Sequence, residues 1–249
     1  MTFDKKTFEF NNVKSVYYTA GEGPPLLFFH GGGAFAMAYE DTLTELAQDF
    51  FVIAPDLPCF GESDVPSEPW DFSDYADYFS EFITFLGLEN LLVVGHSFGG
   101  GAALYLALAT SAVSKLVLID ALCIKVSEPF GKLLSRVARE DLRRFFTKEI
   151  PRDVAEDYVV TNLPKTGKIG RIVKTVKTCV ENAEPDLEAY GTPTLIIWAD
   201  GDRTLPLSYG KALANELPGA ELKVVPDDHL YCINNPRKTA SYIRAFSIN

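Results

Sequence analysis

Short, wholly apolar runs alternate with longer amphipathic segments along most of the chain. The apolar runs predict buried strands, and the longer segments carry hydrophobic side chains at helical spacing. The predicted strands are Leu26–Phe29, Phe51–Ala54, Leu91–Val94, Lys115–Ile119, Thr194–Trp198 and Leu222–Val225, and the predicted helices are Met37–Gln48, Phe72–Leu86, Phe98–Ala109, Ser208–Leu217 and Pro236–Phe246. Continuous apolar strands separated by helices indicate a parallel sheet that is covered on both faces.

Two parts of the chain depart from this alternation. Near the start, Phe8–Phe10 and Val13–Thr19 flank an Asn11-Asn12 turn and predict a hairpin. In the middle, residues 123–185 keep helical spacing without a strand between the helices. We interpret residues 123–185 as a helical cap inserted into an α/β core.

The predicted cap divides the core into residues 1–122 and 186–249. Its first helix is indicated by one apolar face, and its second is predicted to begin at Pro151, which suits a first helical turn. The apolar positions are Phe130, Leu133, Leu134, Val137, Leu142, Phe145 and Phe146 in the first helix, and Ile169, Ile172, Val173, Val176 and Val180 in a third.

Composition narrows the possible partners. A chain of 249 residues that is 47% hydrophobic suits a single domain with an inserted subdomain. A formal net charge of -11 argues against nucleic acid as a partner. Apolar windows long enough to span a bilayer are lacking, so we expect no membrane partner.

The cysteines and the N-terminal residues indicate the cellular compartment and whether the chain binds a metal. Cys59, Cys123, Cys179 and Cys232 lie far apart in the chain and form no metal-type pair. With only three scattered histidines, we expect neither a metal site nor another cofactor. The stretch Met1–Lys6 lacks the apolar core of a secretory signal, and we expect reduced thiols in a cytoplasmic protein.

The segment Gly95-His96-Ser97-Phe98-Gly99 joins a predicted strand to a predicted helix. Such a sharp turn lifts its central side chain above the sheet, and the flanking glycines remove β-carbons that would collide. Unpaired amides at the start of the next helix favour an oxyanion. Ser97 is therefore a candidate nucleophile, although a serine here can also serve only as a helix cap.

A serine nucleophile needs a base within hydrogen-bond reach. His96 adjoins Ser97, and the turn aims neighbouring side chains apart, while His30 ends a strand and opens a glycine run. His229 lies just beyond the strand that ends at Val225, and the carboxyl ends of parallel strands share one edge of the sheet. Elimination therefore makes His229 the candidate base.

A carboxylate must hold the base in its reactive tautomer. Three aspartates follow predicted strand ends, namely Asp120, Asp200 and Asp202. All three fit the chain order of nucleophile, acid and base, and each could equally anchor a loop or cap a helix. The residues alone leave this choice open.

The tetrahedral intermediate of acyl transfer needs amide donors for its oxyanion. One predicted donor is the Phe98 amide, and the other comes from a loop after an earlier strand. His30-Gly31-Gly32-Gly33 is such a loop, and Gly32 is the predicted donor, with Gly33 as the second choice. Each donor contributes about 3–4 kcal/mol to transition-state stabilisation. Phe35 is predicted to line an apolar substrate pocket.

With two further landmarks, Ala54–Asp64 and Trp198–Pro206, the chain resembles the α/β-hydrolase superfamily along nearly its whole length. The resemblance implies an α/β fold with a mostly parallel, eight-stranded sheet flanked by helices, and a helical cap inserted after the sixth strand. It also implies that Asp202 is the acid, because the family's aspartate stands four residues after the tryptophan and precedes a loop proline. Asp56, Gly61 and Ser63 are interpreted as structural.

The resemblance places the chain in a capped branch of esterases, meta-cleavage hydrolases, haloperoxidases and epoxide hydrolases. Ser97 disfavours epoxide hydrolases and haloalkane dehalogenases, which use aspartate at that position. The chain departs from the family at Cys59, where glycine is usual, and at Ala199, where glycine is frequent. Leu230 stands where meta-cleavage hydrolases often have tryptophan.

The resemblance implies a serine hydrolase that cleaves a carboxylic ester of a small or medium-sized, largely apolar substrate through an acyl-enzyme on Ser97. Two alternatives stay open. One is hydrolysis of a carbon–carbon bond of the meta-cleavage-product type, and the other is a receptor-like ligand binder with slow turnover. The expected partner is a small molecule, and the expected state is a monomer or homodimer.

Overall fold

The computed structural model describes residues 1–124, 128–147, 167–188 and 190–248. The strands are β1 (Asp4–Phe10), β2 (Val13–Ala20), β3 (Pro25–Phe29), β4 (Phe51–Pro55), β5 (Leu91–His96), β6 (Val113–Ile119), β7 (Thr194–Ala199) and β8 (Glu221–Val225). They form an 8-stranded sheet in the order β1-β2-β4-β3-β5-β6-β7-β8. β2 pairs antiparallel with β1 and β4, and the other neighbours are parallel. The predicted mostly parallel sheet is therefore confirmed.

Helices flank the sheet on both faces. They are a 3₁₀ helix at Ala36–Tyr39, α1 (Glu40–Leu46), α2 (Phe72–Leu86), α3 (Phe98–Ala109), α4 (Phe130–Thr147), α5 (Ile169–Glu181), α6 (Leu207–Glu216), α7 (Tyr231–Asn234) and α8 (Pro236–Ile248). Among the helices of the described ranges, none combines the length and the apolar character that a membrane crossing requires.

The core lies on both faces of the sheet because successive side chains of each strand point to opposite sides. In β3, Phe29 packs on Phe79 of α2 with ring centroids 4.5 Å apart. Its neighbour Phe28 packs on Tyr39, on the other face, at 5.1 Å. All four rings are buried, and burial of each such side chain contributes roughly 1.5–3 kcal/mol. The wholly apolar strands are thus explained by two covered faces.

Two elements differ from the sequence prediction at their starts. The segment predicted as one helix at Met37–Gln48 is a 3₁₀ turn followed by α1, because the backbone at Tyr39, with a φ of -108° and a ψ of 18°, departs from α-helical geometry. The first strand begins at Asp4 rather than Phe8, because it is a sheet edge whose outer residues are exposed and give no apolar signal. The four-residue helix α7 is too short to show periodicity.

The chain between β6 and β7 contains α4 and α5, in line with two of the predicted helical segments. The second helix, predicted to begin at Pro151, lies outside the described residues, as do the side chains of Leu142, Phe145 and Phe146. The division into a core and a cap at residues 123–185 stays a prediction.

The loop after β4 supports the glycine run that follows β3. Asp56 is buried, and its carboxylate accepts the amides of Ala36 and Glu62, each at 2.7 Å. Ser63 donates its hydroxyl to the Asp56 carbonyl at 2.6 Å. Gly61 has a φ of 51°, and a β-carbon there would lie 2.2 Å from the Asp56 carboxylate. These contacts are consistent with a structural role for the segment.

The backbone conformation at Cys59 explains why glycine is usual at this position in the family. Its φ of 83° lies in the left-handed region, where a residue with a β-carbon is strained and glycine is not. The turn is held by the Cys59 amide, which donates to the Asp64 carbonyl at 2.8 Å. All four cysteines are buried free thiols, and burial raises the pKa of Cys123 and Cys179 above the ordinary value.

Substitution of Gly61 by alanine should destabilise the fold more than the same change at Gly87. Both glycines have positive φ, at 51° and 63°, so the backbone strain is similar. Of these two positions, only Gly61 would place a β-carbon against other atoms; at Gly87 no atom of the described part of the chain lies within 4 Å. Displacing the buried Asp56 carboxylate leaves amides unpaired at about 1–3 kcal/mol each. Urea unfolding of the two variants measures the difference, and equal losses would contradict this explanation.

Candidate active site

Ser97 occupies a strained turn between β5 and α3. Its φ of 52° and ψ of -120° place a serine in a backbone region that costs of order 1–3 kcal/mol. The Ser97 amide donates to the Ile119 carbonyl at 3.0 Å, which ties the turn to the neighbouring strand β6. A β-carbon on Gly95 would lie 2.4 Å from the Gly99 oxygen, and one on Gly99 would lie 2.4 Å from the His30 oxygen. The two flanking glycines are therefore required by backbone contacts.

His229 lies between Ser97 and Asp202. Its Nε2 is 3.0 Å from the Ser97 Oγ, and its Nδ1 is 2.7 Å from the Asp202 Oδ2. With Nδ1–H donating to the carboxylate, Nε2 is free to accept the serine proton. The His229 and Asp202 side chains are buried, and Ser97 is partly exposed. The structure thus brings together the predicted nucleophile, base and acid; their roles stay predictions.

The loop after β7 holds the Asp202 carboxylate in place. Its Oδ1 accepts the amides of Thr204 at 2.7 Å and Leu205 at 2.8 Å. Its Oδ2 remains for His229. Two amide donors to one oxygen fix the plane of the carboxylate. Asp200, the alternative two positions earlier, is exposed and does not share this arrangement.

Asp120, the third acid that the sequence left open, is fully buried directly after β6. Its Oδ1 accepts the Ala199 amide at 2.8 Å, while its Oδ2 has no hydrogen-bond partner among the residues that the structure describes. Burial, together with the nearby charge of Asp202, raises the pKa of Asp120 well above its usual value. Asp120 therefore holds the end of β7 through the Ala199 amide, whereas the carboxylate that contacts His229 is that of Asp202.

The other two histidines are held by contacts of their own. His30 is buried; its Nε2 accepts the Leu57 amide at 2.9 Å, and its Nδ1 lies 2.8 Å from the Gly31 carbonyl. His96 has its Nδ1 2.6 Å from the Tyr39 hydroxyl and its Nε2 2.8 Å from the His229 carbonyl. These distances support the choice of His229 by elimination.

His96 links the glycine loop to the base, which the sequence reasoning did not anticipate. The Gly31 amide donates to the Tyr39 hydroxyl at 3.0 Å, and that hydroxyl donates to His96 Nδ1. The opposite nitrogen of His96 then donates to the His229 carbonyl. Burial raises the pKa of Tyr39 well above its usual value, so the hydroxyl keeps its proton. The position of His96 beside Ser97 was the only sequence signal for this link.

One ligand atom each of His96, Asp120 and His229 lies within 4.8 Å of the others, a grouping that could hold a metal ion. However, both ring nitrogens of His96 are engaged, and those of His229 face Ser97 and Asp202. An ion would have to break these contacts, and we therefore assign no metal to this cluster.

The predicted oxyanion donors come from neighbouring backbone. Phe98 is the first residue of α3, so its amide lies outside the helical hydrogen-bond ladder. A β-carbon on Gly32 would lie 3.2 Å from the Phe98 Cβ, so the two backbone segments lie close together; their role as oxyanion donors stays a prediction. Gly33, the second choice, has a φ of 81°. Phe35 is buried and packs in the core around Tyr39; its pocket role stays a prediction.

This sheet, with a serine in a strained turn at the end of its fifth strand, is typical of α/β hydrolases. The chain belongs to the alpha/beta hydrolase family, whose model matches residues 26–241. It is 28% identical over 246 residues to the non-heme chloroperoxidase CPO-A1 of Kitasatospora aureofaciens, covering 86% of this chain and 87% of that protein.

Solved structures share the fold. The serine hydrolase CarC, involved in carbazole degradation, has a TM-score of 0.85 at 21% identity and full coverage of both chains (100% each). A mutant of the meta-cleavage product hydrolase of Pseudomonas fluorescens has a TM-score of 0.81 at 22% identity, covering 97% of this chain and 96% of that one. The resemblance stated from the sequence is confirmed at the level of the family.

Replacement of Asp120 by asparagine should change how stability depends on pH. Because the folded pKa of Asp120 is raised, the native state holds a proton that the unfolded chain releases, and this residue lowers stability as pH rises above about 4. Asparagine keeps the acceptor for the Ala199 amide and does not ionise. The variant should therefore gain stability relative to the parent between pH 5 and pH 8.

Urea unfolding at those two pH values measures the effect, with Asp200→Asn as the control for removing an exposed acidic side chain in the same region. A difference in unfolding free energy that stays constant with pH would show that Asp120 ionises alike in the folded and unfolded states.

Proposed function

We propose that the chain is a serine hydrolase that cleaves a carboxylic ester through an acyl-enzyme on Ser97. The observation that carries this proposal is the position of His229, with Nε2 3.0 Å from the Ser97 Oγ and Nδ1 2.7 Å from Asp202. A nucleophilic serine requires a base at that distance, and the base requires an orienting acid.

In the first half of the reaction, Ser97 attacks the ester carbonyl while His229 Nε2 takes the hydroxyl proton. The resulting imidazolium is stabilised by Asp202, and it gives the proton to the leaving alcohol as the carbon–oxygen bond breaks. In the second half, His229 activates a water that attacks the acyl-enzyme, and the proton returns to Ser97. The Thr204 and Leu205 amides hold that carboxylate in position throughout.

The Gly32 and Phe98 amides stabilise the negative oxygen of each tetrahedral intermediate. Two such donors act where charge develops in the transition state, and each contributes about 3–4 kcal/mol. The strain at Ser97 supports this role, since the turn presents the hydroxyl and the following amide to the same carbonyl group.

Aromatic side chains near these donors favour a largely apolar substrate. The Phe60 ring packs edge-on against Phe98 at 5.4 Å. A β-carbon on Gly32 would lie 4.0 Å from Phe60 Cζ, so both rings border the loop that receives the carbonyl oxygen. Small or medium-sized acyl and alcohol groups suit such surroundings. Phe35 remains the predicted pocket residue in the same loop.

The proposed reaction predicts that Ser97→Ala abolishes hydrolysis and that Asp202→Asn lowers kcat by about 10⁴, as in the serine protease precedent. Turnover of p-nitrophenyl esters of increasing acyl length measures both effects. Ser241→Ala and Asp200→Asn, which alter exposed residues, are the matched controls and should keep parental rates.

Covalent labelling separates the proposal from its alternatives. A fluorophosphonate probe should modify Ser97 in the parent protein and leave Ser97→Ala unlabelled. Ester turnover that survives Ser97→Ala would refute the mechanism. Labelling without ester turnover, but with loss of a yellow meta-cleavage dienolate, would instead identify a carbon–carbon bond hydrolase. Ligand-dependent thermal stabilisation without product would identify a receptor-like binder.

A further inference from the structure

Helix α4 contacts the loop that carries the proposed acid. The Arg136 Nε donates to the Thr204 carbonyl at 2.8 Å, across 68 residues of chain. That carbonyl belongs to the peptide group whose N–H, on Leu205, donates to the Asp202 Oδ1 at 2.8 Å. Because a peptide group is planar, fixing its oxygen also fixes the direction of its N–H. A single rigid plane thus connects the guanidinium to the carboxylate.

The charge of Arg136 also strengthens this connection. A cation at the carbonyl oxygen polarises the peptide, and hydrogen bonds in series reinforce one another in a low-dielectric interior. The Leu205 amide therefore becomes a better donor to Asp202. Thr204 is buried, which limits competition from water at its carbonyl.

Other groups hold Arg136 in this position. Its Nη2 pairs with Glu128, whose side chain is only 10% exposed. The Tyr209 hydroxyl, from the first turn of α6, donates to the same Glu128 oxygen at 3.2 Å. A largely buried ion pair contributes little net stability, because desolvation offsets the attraction. The ion pair with Glu128 instead restricts the Arg136 guanidinium to one orientation.

Helix α4 also contacts the loop that carries His229, the proposed base. Arg143 lies seven residues after Arg136 and hence nearly on the same helical face. Its Nη2 is 3.5 Å from the carboxylate of Asp228, the residue before His229. Asp228 in turn accepts the Leu230 amide at 2.9 Å. One face of α4 therefore contacts both loops that carry members of the proposed site.

We propose that Arg136 is a positioning residue for Asp202 and acts through the Thr204–Leu205 peptide. The packing of α4 on the core then determines the orientation of the Asp202 carboxylate. This inference rests on the proposed function. Arg136 contacts neither the nucleophile nor the base, and its effect on Ser97 reactivity passes through Asp202.

The test is the second-order rate of Ser97 modification by a fluorophosphonate, corrected for the folded fraction. Arg136→Met keeps the aliphatic stem and should lower this rate by about 10- to 100-fold, because misplacing a catalytic group by up to about 1 Å has effects of that size. Arg139→Met is the matched control, since Arg139 lies on the same helix and is exposed. Arg136→Lys keeps the charge and one donor, and should recover part of the loss.

A double-mutant cycle separates positioning from general weakening of the fold. If Arg136 acts through Asp202, Arg136→Met should change the labelling rate less than about twofold in an Asp202→Asn background. An equal loss in both backgrounds, or an Arg136→Met rate equal to that of Arg139→Met, would overturn the inference.

A second readout does not depend on the chemistry of Ser97. The proton between His229 Nδ1 and Asp202 should give a downfield resonance in one-dimensional proton spectra that is absent from Asp202→Asn. Arg136→Met should shift or broaden it, and Arg139→Met should not. A parent protein that shows this resonance but resists the probe would refute the proposed function, while the response to Arg136→Met would still decide the role of the arginine.

Discussion

The left-handed backbone at Ser97 is the constraint on which the rest of the site depends. Helix α3 lies so close to β5 at Gly95 and to the end of β3 at Gly99 that neither glycine can carry a side chain. The turn is tied to β6 through the Ser97 amide and the Ile119 carbonyl. The strain of the serine is therefore balanced by packing of the whole central sheet. A hydroxyl held by a rigid scaffold in this way loses little entropy when it meets a reacting carbon.

Around this turn, buried polar groups are held mostly by the main chain. Backbone amides hold Asp202, and the His229 carbonyl contacts His96, which also contacts Tyr39. In a low-dielectric interior such bonds are strong, and each missing partner is costly. The site therefore has one preferred arrangement before any substrate arrives. Pre-organisation of this kind is what electrostatic stabilisation of a transition state requires.

The sequence predicted the fold and the pairing of Ser97 with His229 because strand ends and turn glycines leave local signals. It left the choice among the three aspartates to family resemblance, because the amides of Thr204 and Leu205 that hold Asp202 depend on how a loop closes. It missed the contact of Arg136 with the acid loop for a similar reason. Helical periodicity identifies which face is buried but not which distant carbonyl a surface arginine reaches. Pattern reasoning also missed the exposed first half of the edge strand β1 and the four-residue helix α7.

Because the four thiols are buried, the rate of their chemical modification can report the local opening of different parts of the fold. Cys59 lies in the loop after β4, Cys123 follows β6, Cys179 lies on α5 and Cys232 lies on α7, and all are shielded from solvent. A thiol-reactive reagent can modify each of them only after local or global opening. Opening free energies derived from their separate modification rates would show whether α5 opens at Cys179 independently of the other three positions, a distinction that a single melting curve cannot make.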